Sequence, residues 1–326
     1  FMIVWIIFVA LILVFLALDL GVFNRTPHVI STKEASVWTG IWVTVSFLFS
    51  GVIYWLYSGD VVNNVDNLTA TDAVLKYITG YLIEISLSID NIFVIAVIFA
   101  SFKIPLKYQH RVLFWGILGA IVFRALMIFF GVILINKFSF TTYVFGVFLL
   151  FTAYKMMFSK EEKFQPKKSF IYRQIRKIIP ITSHMQGEHF FIKLRHITAA
   201  TPLFMALVII EFTDILFAID SVPAILAITS DPFLVFSSNI FAILGLRSMY
   251  FFLSNMLVKF YYLKYSLIAI LSFVGVKLIL TPHDDFPAMP HYMFPEWLSL
   301  LFIALALFIG ILVSLKVTKE EKFIES

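Results

Sequence analysis

The 326-residue chain contains no cysteine. That excludes disulfides, thiolate metal sites and sulfur nucleophiles, although it does not fix a compartment. Charge is also scarce, at 14% of residues, and it is unevenly placed. No nucleotide-binding glycine loop, dinucleotide fingerprint or zinc-protease helix occurs. Nothing in the chain therefore points to nucleotide hydrolysis, and uphill transport would have to draw on ion gradients. Apolar runs carry no histidine in their interiors: His28, His110, His184, His189, His196, His283 and His291 all fall in loops or at run edges. No nucleophile–base pair lies in an apolar run, so an enzyme is not expected. The first run lacks a basic flank before it and a small-residue cleavage site after it, unlike a secretory signal.

What fills the chain instead is hydrocarbon. Hydrophobic residues make up 61%, and the mean hydropathy is +0.95. A soluble domain sits nearer half apolar. The excess is gathered into runs of about 20 residues, the length that crosses a bilayer core. Nine are expected: Met2–Phe23, Val37–Tyr57, Ala73–Ala100, Val112–Ile135, Phe140–Phe158, Ala199–Ile228, Phe233–Leu257, Leu263–Leu280 and Trp297–Leu315. The predicted class is an all-α, multi-pass membrane protein. The net charge of +5 sits in particular loops, so it reads as a topology signal and not as a nucleic-acid footprint. Loops alternate between basic and acidic, with the short one at Lys137 the exception, and this puts the N-terminus outside and the C-terminus in the cytoplasm. The 38 phenylalanines read as lipid-facing or packed side chains.

An internal similarity divides the chain further. Glu84-Ile-Ser-Leu-Ser-Ile-Asp90-Asn91 aligns with Asp214-Ile-Leu-Phe-Ala-Ile-Asp220-Ser221. The next run of each half carries one arginine, Arg124 and Arg247, and the run after that one lysine, Lys155 and Lys277. Residues 72–158 and 199–281 thus read as two copies of a three-helix unit. An odd number of helices inverts the second copy, as in many secondary transporters with mid-membrane ion sites. Residues 1–58 supply two preceding spans, and 296–326 a final span and tail. The basic loop 159–198 is expected to carry a short interfacial helix through Phe170, Ile171, Ile175, Ile178 and Ile179. The two motif runs approach 30 residues, about 45 Å of helix against a core of about 30 Å. They must tilt, protrude or break, and Pro223 favours a break in the second.

Carboxylates sunk in hydrocarbon cost several kcal/mol each unless paired or coordinated. Asp19, Glu84, Asp90, Glu211, Asp214 and Asp220 stand against Arg124, Lys155, Arg247 and Lys277. The excess of acid suits a bound divalent cation, and protonation would serve equally. Glu84 and Asn91 share one helix face, as do Asp214 and Ser221, with Glu211 a turn earlier. Asp90 and Asp220 point about 120° away on an ideal helix. The expectation is a central site of Asp90 and Asp220 with Asn91 and Ser221. Glu84, Glu211 and Asp214 would pair with Arg124 and Arg247, line the path or carry protons. Lys155 and Lys277, near run ends, are placed to snorkel. An all-oxygen ligand set suits Mn²⁺, Mg²⁺ or Ca²⁺ over copper or zinc.

These residues carry a resemblance. Thr79-Gly-Tyr-Leu-Ile-Glu84, Ser88-Ile-Asp90-Asn91-Ile-Phe-Val and Phe217-Ala-Ile-Asp220-Ser221-Val-Pro-Ala are similar to the TerC family. The stretch from Thr229 through Asn239 to Arg247 resembles its Alx-like branch. The resemblance implies a bacterial inner-membrane exporter of Mn²⁺, with distant kinship to the LysE superfamily. The partners expected are the lipid bilayer, the metal ion and protons. The alternative is a membrane scaffold for a metal- or stress-handling complex in which the acids are structural.

Overall fold

The structure is a computed structural model that describes residues 2–21, 30–138, 140–158, 165–182, 185, 187–194, 197–254, 263–280 and 295–324. It is built almost wholly of helices: α1 (Met2–Gly21), α2 (Thr32–Ser58), α3 (Ala70–Phe102), α4 (Leu106–Lys137), α5 (Phe140–Phe158), α6 (Phe170–Ile178), α7 (Pro202–Leu226), α8 (Pro232–Ser254), α9 (Leu263–Leu280) and α10 (Glu296–Ile324). Among the described residues eight helices, α2–α5 and α7–α10, are long and apolar enough to cross a membrane. α1 accounts for the ninth expected run, its described apolar part being shorter. The protein is a multi-pass, all-α membrane protein.

Local chemistry sets the helix starts. Ser31 caps α2 by accepting the Glu34 N–H at 3.2 Å, and Thr69 caps α3 by accepting that of Asp72 at 3.1 Å. Pro202 and Pro232 open α7 and α8, where a missing N–H costs nothing. α3 ends on Lys103 in the left-handed conformation, φ 53°. The break expected in the second motif run is not found. α7 runs continuously through Pro223 and ends three residues later, at Leu226. A proline in the last turn removes one backbone hydrogen bond where the ladder is about to stop. α3, 33 residues long, is also unbroken.

Apolar burial decides which helices lie inside. α8 is buried along most of its length, while α1, α4, α5 and α10 turn Leu, Ile and Phe side chains outward. Exposed apolar stripes of this extent are lipid-facing surface. α3 packs on α8, α4 on α7, α5 on α9 and α3 on α7, with α2 and α10 covering the flanks. The α5–α9 contact is backbone-close at two glycines, Gly146 and Gly275, each lying where a Cβ would stand 3.0 Å from the carbonyl oxygen of the other.

Polar contacts concentrate at two opposite ends. At one end, Asp66 of the α2–α3 loop accepts from the Thr229 hydroxyl at 2.7 Å and the Ser230 N–H at 3.1 Å. Nearby, Lys76 donates to the Ile228 carbonyl at 2.9 Å, and Lys277 reaches Glu296 at 3.2 Å. At the other end, Tyr250 donates to Gln109 at 3.0 Å, and Arg111 reaches Glu188 at 3.2 Å. The expected amphipathic helix is present as α6, with Phe170 and Ile178 exposed. A two-stranded hairpin, β1 (Phe191–Leu194) and β2 (Ile197–Ala200), was not foreseen.

Candidate functional site

A guanidinium stands at the centre of the bundle. Arg124 of α4 is 1% exposed and Glu84 of α3 is fully buried. A charge at that depth persists only against opposite charge and hydrogen bonds. Arg124 Nη1 donates to Glu84 Oε1 and, at 2.9 Å, to Asn239 Oδ1 of α8. Its Nη2 donates to Asp214 Oδ1 of α7 at 3.3 Å. One side chain therefore ties four helices together. Ser88, one turn beyond Glu84, donates to the same carboxylate oxygen at 3.4 Å.

Polar atoms around this arginine are left over. Glu84 Oε2, Asp214 Oδ2 and Glu211 Oε2 are buried with no hydrogen-bond partner among the described residues, as are Asn91 Nδ2, Ser221 Oγ and Asn239 Nδ2. Buried polar atoms are nearly always satisfied, and several unsatisfied ones in one bundle call for an explanation. Glu211 lies against α4 at Gly119, where a Cβ would overlap both of its carboxylate oxygens. Asn91, Thr213, Asp214 and Arg247 also line a cavity of about 20 Å³. That is room for about one water. Its apolar walls include Leu113, Gly116 and Ile117 from the first half of α4, so it lies between the cluster and the end bearing Glu188.

The acids divide by helix phase. Glu84, Asp214, Asn91 and Arg124 come together as one-face spacing predicts, and buried Arg247 joins them at the cavity. Asp90 and Asp220, expected at the centre, are engaged elsewhere. Asp90 has Lys264 of α9 as its charge neighbour with no described hydrogen bond or ion pair between them, and Asp220 accepts from the Thr152 hydroxyl of α5 at 3.1 Å with Lys155 nearby. No described hydrogen bond joins the two, since each sits on a helix face about 120° from that of Glu84 or Asp214. Ser221 is buried, but among the described residues it meets neither aspartate through a hydrogen bond. Lys155 is exposed, whereas Lys277 does not snorkel: it is buried against Glu296 and donates to Ser299 at 3.0 Å. Among the described residues no three Asp, Glu or His side chains converge as a ready-made metal cage. The side chain of Asp19, and His28, His184, His196, His283, Asp284, Asp285 and His291, lie outside the described residues.

Asn239 was not among the expected site residues. An amide inside an apolar helix is itself a signal of helix-to-helix hydrogen bonding. Gly119 carried no signal, since its role depends on which side chain faces it.

Residues 69–322, which include every residue of this cluster, match the integral membrane protein TerC family. The chain belongs to the TerC family. This TerC protein is 48% identical over 286 residues to an uncharacterized membrane protein of Myxococcus xanthus, covering 88% of this chain and 85% of that one. It is 43% identical over 311 residues to an uncharacterized membrane protein of Rickettsia bellii, covering 95% and 96%. It is also 41% identical over 281 residues, 86% of each chain, to an Escherichia coli protein provisionally named membrane-bound redox modulator Alx. No solved structure matches the chain.

Proposed function

We propose that this TerC protein exports a hard divalent cation, Mn²⁺ foremost, across the bacterial inner membrane by alternating access. The observation that carries the reading is a pair of buried, half-satisfied carboxylates, Glu84 and Asp214, at the crossing of α3, α4, α7 and α8, with half-buried Glu211 adding an unpartnered oxygen and Asp214 lining a water-sized cavity. Carboxylate, amide and hydroxyl oxygens match Mn²⁺, Mg²⁺ and Ca²⁺. The positive-inside pattern supports the Glu188 end as cytoplasmic, so the cavity lies on the side from which an exported ion arrives. The helix contacts support an inverted pair of units: exchanging α3–α5 with α7–α9 turns the α3–α8 contact into α7–α4 and leaves α5–α9 unchanged.

Moving a divalent ion outward against about 100 mV costs about 4.6 kcal/mol. Exchange for two protons removes that electrical cost. Asp90 and Asp220, set apart from the cluster, are the candidates to carry them. The redox role in the name of the Escherichia coli relative does not require redox chemistry on this chain. Without cysteine it holds no thiol couple, and a metal flux can act on redox balance through the enzymes it supplies.

Dye-reported Mn²⁺ flux in proteoliposomes tests the reading. Glu84→Gln, Asp214→Asn and Glu211→Gln are expected to lower flux at least about tenfold each, the equivalent of about 1.4 kcal/mol. Wild-type flux in all three would overturn the carboxylate assignment, whereas no flux from the unaltered protein together with capture of a protein complex by the basic loop would favour the scaffold reading instead.

A further inference from the structure

The Arg124 geometry deepens that reading, on which it rests. A guanidinium normally grips one carboxylate with both arms. Arg124 instead spends one arm on Glu84 and the other on Asp214, and each acid keeps its second oxygen unpartnered. The two acids come from α3 and α7, the matching helices of the two units. Glu211, a third acid, adds another unpartnered oxygen. The same guanidinium also has a neutral acceptor, the Asn239 amide oxygen at 2.9 Å, which it can keep while giving up the acids.

We propose that Arg124 is a tethered competitor of the cargo ion, neutralising Glu84 and Asp214 in the empty carrier and moving onto Asn239 when a divalent cation takes the carboxylates. This accounts for the lack of a ready-made metal cage among the described residues, because the residue that bridges the acids is the one the ion displaces. It also gives the empty carrier a route back. Two bare carboxylates in a dry bundle oppose reorientation, and a resident guanidinium removes that opposition without a compulsory proton on either acid. Release of the ion is assisted in the same step, since the fork re-enters as the ion leaves. A lysine ammonium is a point charge that cannot hold both acids in this forked way.

The test combines Mn²⁺ titration of the purified full-length protein with Mn²⁺ flux in proteoliposomes. Arg124→Gln is expected to bind Mn²⁺ at least about tenfold more tightly while its flux falls at least about tenfold. Arg124→Lys is expected to fall between wild type and Arg124→Gln in both. A merely structural arginine would lose binding and thermal stability together. If Arg124→Gln does not fold, Arg124→Lys decides alone: tighter binding with slower flux supports the proposal, and unchanged or weaker binding overturns it. Wild-type binding that Glu84→Gln abolishes, with Arg124 variants binding no tighter, overturns the competitor role and leaves the carboxylate site standing. Absence of Mn²⁺ binding in wild type and Glu84→Gln alike defeats the export reading, and this proposal with it.

Discussion

Gly119 offers a way to disturb the carboxylate cluster without touching a carboxylate. Its Cα faces Glu211 across the α4–α7 contact, and an added Cβ would overlap both carboxylate oxygens. The obstacle is the far end of a flexible side chain, so Glu211 can swing aside and the helices need not part. The carboxylate must retreat by about 1 Å, a displacement that at a preorganised site costs on the order of 10²-fold in rate. Alanine meanwhile favours an α-helix over glycine by about 0.8–1.0 kcal/mol. Gly119→Ala is therefore expected to separate the two properties. Thermal unfolding in detergent stays level or shifts upward, and Mn²⁺ flux falls roughly ten- to hundredfold. Flux equal to wild type in a well-folded Gly119→Ala protein would refute the assignment of Glu211 to the ion path. Flux and stability lost together would refute the packing argument.

Two further perturbations act away from the cluster. Gly275→Leu sets a side chain where a Cβ already stands 3.0 Å from both the Gly146 carbonyl oxygen and Leu150, so α5 and α9 must separate. A loss of about 1–3 kcal/mol in detergent unfolding is expected, against no loss for Gly40→Ala, where open space surrounds the added group. Asp231, in the α7–α8 loop, accepts from the Phe233 N–H at 2.9 Å and the Leu234 N–H at 3.3 Å. Burial pushes its carboxyl above the ordinary 3.8, opposed by the Tyr57 hydroxyl and these N–H groups and reinforced by Asp66. A folded-state value above the unfolded one means stability present below pH 3.8 and lost as pH rises through the folded value. Asp231→Asn keeps an oxygen for the two N–H groups, so its unfolding profile should be flatter with pH. Parallel profiles for the two proteins would rule out the burial argument.

Much of the fold was legible because hydrocarbon imposes one rule on every span. Backbone groups must pair within the segment, so an apolar run of sufficient length is a helix. The amphipathic helix α6 was equally readable from the spacing of Phe170, Ile171, Ile175 and Ile178. The hairpin Phe191–Ala200 was not, since four-residue strands beside a span start have too short an alternation to stand out. For the site, spacing separated the face of Glu84 and Asn91 from that of Asp90. It left open which face would meet its counterpart, and the aspartate pair chosen for the centre has no described hydrogen bond to the Arg124 cluster, Asp220 bonding Thr152 of α5 instead.

Covalent order alone therefore determined the helical nature of the apolar runs and the short list of ionisable groups that had to find partners. Helix packing decided the partners themselves. An acid in a span constrains only its own helix, and the choice among Arg124, Arg247, Lys155 and Lys264 depends on which ridges interlock. That choice turns on small residues such as Gly119, Gly146 and Gly275, whose importance is visible only once the opposite helix is in place.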